Sequence, residues 1–69
     1  MIKYGVEFLS EAEDRIVMYK SKDRARADAE AKADALQAGE SVMLFYADCD
    51  SEGRLATNEF NVVYVWGKD

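Results

Sequence analysis

The chain has 69 residues with 14 acidic and 9 basic side chains, no His, no Pro and a single Cys, for a formal net charge of −5. One thiol rules out an intrachain disulfide, and without His neither the usual zinc sets nor an imidazole-assisted Ser or Cys nucleophile can be assembled from this chain. The acidic balance opposes phosphate-backbone binding, which needs a basic surface, and no stretch approaches the ~18 apolar residues of a membrane span. These exclusions lead us to expect one small domain over residues 1–69, cytoplasmic, without nucleic-acid or membrane partners. A core this small gives little stability by itself, so a partner subunit or a hard cation is the usual supplement.

In chain order, Ile2, Tyr4, Val6 and Phe8 alternate with Lys3, Gly5 and Glu7, the period of a strand with one buried face. Polar Ser10 to Asp14 separates it from Arg15–Lys20, where Ile16, Val17, Met18 and Tyr19 favour extended structure, so a hairpin is expected. From Lys22 to Ala38 the composition turns to Ala, Asp, Glu, Arg and Lys. That spacing predicts a helix capped by Ser21 or Asp23 and ended by Gly39, with Arg24–Asp28, Arg26–Glu30 and Asp28–Lys32 spaced to interact along it. Its inward face is Ala25, Ala29, Ala33 and Leu36, which brings little bulk. Val42–Ala47 and Phe60–Trp66 then read as two strands apolar on both sides.

The order strand, strand, helix, strand, strand predicts an α+β fold: a four-stranded, mostly antiparallel sheet with one Ala-rich helix on one face. Strict alternation places Met43, Phe45, Val63 and Val65 on one face of the last two strands. Val42, Leu44, Tyr46, Val62, Tyr64 and Trp66 fall on the other. One helix covers only one of these faces, and an uncovered apolar face is a contact surface in waiting. Self-association by stacking two such sheets is the simplest supplement to the core.

The densest polar constellation lies between the last two strands, where Asp48, Asp50, Glu52, Gly53 and Glu59 occupy positions one, three, five, six and twelve of a twelve-residue window. This spacing resembles the EF-hand calcium loop, which would draw oxygens from Asp48, Asp50, Glu52, the Arg54 carbonyl and a bidentate Glu59. Leu55 falls where that family places an aliphatic residue. Glu52 is long for position five, Ala56 at position nine offers no ligand, and the flanking segments favour strand where an EF-hand requires helices.

Catalysis draws no support from the pattern. Cys49 lies between Asp48 and Asp50, the wrong electrostatic setting for a reactive thiolate. The large aromatics suit an interface better than a base-stacking platform in acidic surroundings. The plan of two strands, the helix segment KDRARADAEAKADALQAG and two more strands resembles in style the small accessory proteins of bacteriophages and mobile elements, a resemblance that implies binding to, and modulation of, a host protein. The expected function is therefore a non-enzymatic protein-binding module, a homodimer without cofactor, using Phe45, Tyr64, Trp66, Val63 and Val65. The alternatives are a calcium-binding module built on residues 48–59 and an acidic mimic of nucleic acid.

Overall fold

The computed structural model describes residues 1–52, 54 and 60–68. Strands β1 (Ile2–Leu9) and β2 (Asp14–Tyr19) form a hairpin, helix α1 (Lys22–Asp34) follows, and β3 (Ser41–Asp48) and β4 (Asn61–Gly67) complete an antiparallel sheet of order β2-β1-β3-β4. This is the expected α+β arrangement. The hairpin closes because Ser10 Oγ accepts from the N–H groups of Ala12 and Glu13 at 3.2 and 3.1 Å, while Ser10 N–H donates to the Glu13 carbonyl. Side-chain hydroxyls stabilise turns in this way by taking orphan backbone donors.

Helix α1 starts at Ser21, whose Oγ accepts from Arg24 N–H at 3.3 Å, the N-cap bond expected of Ser. Its end departs from the sequence reading: it stops at Asp34, four residues before Ala38. Ala35 and Leu36 donate to the carbonyls three residues back, tightening the last turn, and Leu36 drops into the core instead of continuing the spiral. Gly39 (φ +85°) consequently serves the turn into β3, where its N–H donates to the Lys68 carbonyl at 2.9 Å. Two of the three expected helix pairs form, Arg26 with Glu30 and Lys32 with Asp28.

The helix lies over β1 and β3, with β2 at its margin. Buried Ala25 and Ala29 let it approach closely, and Val6, Val42 and Leu44 fill the space beneath, flanked by Tyr4, Phe8, Tyr19, Ala33 and Trp66. Register therefore settles which face is covered: Val42, Leu44, Tyr64 and Trp66 point to the helix side. Met43, Phe45 and Val65 point to the opposite face, together with Glu7, Ile16 and Met18.

Strict alternation fails at one place. Leu44 pairs with Tyr64 but Phe45 pairs with Val62, so Val63 is an extra residue in β4. A bulge of this kind breaks the period of two. Val62 consequently shares a face with Phe45 and Val65, not with Tyr64 and Trp66 as the sequence pattern suggested.

Candidate functional site

Strand β4 is an edge of the sheet and lies beyond the ground covered by the helix. Its side chains are exposed on both faces: Val62 (52%) and Val65 (54%) on the open side, Tyr64 (56%) on the helix side, with Phe60 and Val63 also exposed. Trp66 is half-buried against the core, and Tyr64 leans on it edge-to-face with ring centroids 4.6 Å apart. Between this pair and the end of α1 runs an open groove of about 370 Å³ lined by Ala33, Asp34, Leu36 and Lys68 as well. The strand is thus a ridge of apolar side chains with a shallow aromatic trough on one flank.

The five residues expected to bind a partner do not act as one set. Tyr64 and Trp66 face the helix side, Val65 faces the open side, and Val63 sits in the bulge. Phe45 is only 4% exposed. Its ring lies on Gly5 of the neighbouring strand, and the Phe60 ring packs on it at 5.3 Å between centroids. Phe45 is therefore committed to internal packing, and Val62 and Phe60, which the sequence reading left out of the set, stand exposed beside it. The bulge sets the face on which Val62 stands, and no residue in FNVVYVW marks it.

No family model, curated protein or solved structure matches the chain. Its own geometry is therefore the guide to the remaining sites. The acidic segment leaves β3, an antiparallel partner of β4, so the helix–loop–helix frame of an EF-hand is replaced by strands on both sides. Asp48 Oδ1 accepts from the N-terminal ammonium at 2.7 Å. Asp50 Oδ1 accepts from the N–H groups of Glu52 and Arg54, both at 2.9 Å, and the Glu52 carboxylate pairs with the Arg54 guanidinium at 3.6 Å. Three carboxylates are thus engaged with protein donors, and no cluster of three metal-ligating side chains occurs among the described residues. Gly53, Leu55, Ala56 and Glu59 lie outside the described residues. Cys49 is buried, its N–H donating to the Met1 carbonyl at 2.7 Å.

Two carboxyl groups are electrostatically marked. On the open face, Glu7 is raised above the ordinary carboxylate value by the neighbouring Asp14 side chain, by desolvation and by Asp14's charge. On the helix, burial pushes Asp28 up, but hydrogen bonds from Lys32 Nζ (2.6 and 2.7 Å) and Tyr19 Oη (2.8 Å), together with the Lys32 charge, hold it below its ordinary value. The Asp28 triad ties the helix to β2 and is structural. Glu7 and Asp14 put like charges close together on a face that also carries Lys3, a cost that grows if that face is covered.

Proposed function

We propose that the protein is a non-enzymatic protein-binding module whose binding element is β4, with a second copy of the chain as its simplest partner and modulation of a bound host protein as its wider role. The observation that carries this reading is the run Val62–Val65, exposed on both faces of an unshared edge in a chain that is otherwise one-third charged. Monomers ordinarily protect such an edge with charge, proline, a bulge or a covering loop, and β4 carries the bulge at Val63 but neither charge nor proline. Exposed apolar patches of this kind mark contact sites. Tyr64 and Trp66 supply the aromatic anchors that dominate protein interfaces.

A photoreactive benzophenone side chain placed at position 64, and at position 23 on the solvent side of α1 as a control, tests the assignment inside expressing cells. The reading requires a protein adduct at 64 that disappears in the Val63→Lys/Val65→Lys variant and is absent at 23. Equal labelling at both positions, or none at 64, contradicts it.

A further inference from the structure

Resting on the reading of β4 as the binding element, we propose that β4 pairs antiparallel, edge to edge, with β4 of a second copy, joining two four-stranded sheets into one of eight strands.

Charge selects this geometry over the alternatives. The segment Asn61–Gly67 carries no charged side chain, so an isologous pair of β4 strands superposes none on its own copy. Stacking the open faces instead would bury the neighbouring carboxylates Glu7 and Asp14 and strip water from Glu7, whose proton affinity the Asp14 side chain already raises. Lys3 lies on the same strand and face as Glu7, and the residues of β3 and β4 that share its row, Met43 and Val65, are apolar. The opposite edge also exposes Ile16 and Val17 but differs in charge, since β2 opens with Asp14 and Arg15, and Arg15 is paired with Glu13 while its guanidinium lies over the Phe8 ring. Edge charges of this kind discourage strand addition.

Burial points the same way. Edge pairing removes surface from Val62, Val63, Tyr64 and Val65 together, because strand addition shields both faces of the strand as well as its backbone edge. The outward N–H and C=O groups of β4, which have no partner among the described residues, are satisfied by the same step.

Amide hydrogen exchange on the wild-type protein, followed by NMR at about 20 µM and about 1 mM, separates the possibilities. Edge pairing slows the outward-facing amides of Asn61–Gly67 about tenfold or more at the higher concentration and leaves β2 unchanged. The Val63→Lys/Val65→Lys variant then loses that concentration dependence while β1 and β3 keep their protection. If β4 exchange is independent of concentration, the inference is overturned, and a surviving adduct at position 64 to a different protein would leave the binding role of β4 standing. Slowing confined to β2, or self-association with no slowing in β4, overturns it as well. The wild-type measurement stands alone should the double variant fail to fold.

Discussion

Replacing Gly5 by Ala tests how the open face is held together. A Cβ built at Gly5 lies 2.7 and 2.8 Å from Cε1 and Cε2 of Phe45 and nearer still to Cζ. The ring must withdraw by about an ångström to reach ordinary contact, yet it is almost wholly buried and carries Phe60 on its other side. Overpacking of this kind costs about 1–3 kcal/mol, partly offset by the ~0.5–1 kcal/mol that Ala gains over Gly in a strand. A net loss of about 1–2 kcal/mol corresponds to a fall in Tm of ~5–15 °C for a domain this size. Thermal and urea melts followed by circular dichroism read it directly. The double variant Gly5→Ala/Phe45→Leu, which removes the ring tip, should lose less than the sum of the two single changes, with a coupling of about 1 kcal/mol. A Gly5→Ala protein as stable as the wild type, or strictly additive losses, would refute the claim that Phe45 is packed onto β1 and unavailable to a partner.

Three further outcomes follow from the same geometry. Asp28 has a folded-state pKa below its ordinary value, so its contribution is present at neutral pH and is lost as the pH falls through that lowered value. Asp28→Asn should therefore lower stability by about 1 kcal/mol at pH 7, and the difference from wild type should shrink in acid melts. Glu7 is raised, which reverses the sign: its neutral form is the favoured one, so the wild type gains as the pH falls through the raised value. Glu7→Gln should accordingly raise Tm at pH 7 and lose that advantage near pH 4. Millimolar calcium and a chelator should give coincident melts, because Asp48, Asp50 and Glu52 are engaged with protein donors; a rise of several degrees with calcium would restore the metal reading.

Much of the fold was legible because local and global signals agree. Alternation marked β1, β-branched and aromatic residues marked β2 and β4, a continuous apolar run marked β3, and the composition around Arg24–Lys32 marked the helix. What escaped were choices made by tertiary packing. Helix α1 stops at Asp34 with Leu36 still buried as its spacing implied, and no rule of propensity anticipates that early stop. Strand order, with β1 central and β4 at an edge, depends on long-range pairing that leaves no periodicity in the sequence. At the candidate site, the exposure of Tyr64 and Val65 follows from the surplus of large apolar residues over what an Ala-rich helix can cover. The burial of Phe45 was not legible because it depends on Gly5, forty residues away, and the face of Val62 was not because the bulge moves it across the sheet. Both concern which neighbour a side chain meets, information held by the register alone.

Sedimentation equilibrium of the wild-type protein over about 10 µM to 1 mM tests the central claim most directly, since mass action must populate a self-paired β4 as concentration rises. The account predicts a mass that climbs from 7.8 kDa towards twice that value, with the Val63→Lys/Val65→Lys variant remaining at the lower figure. A wild-type mass of 7.8 kDa throughout, or a dimer that survives both lysines, would contradict it.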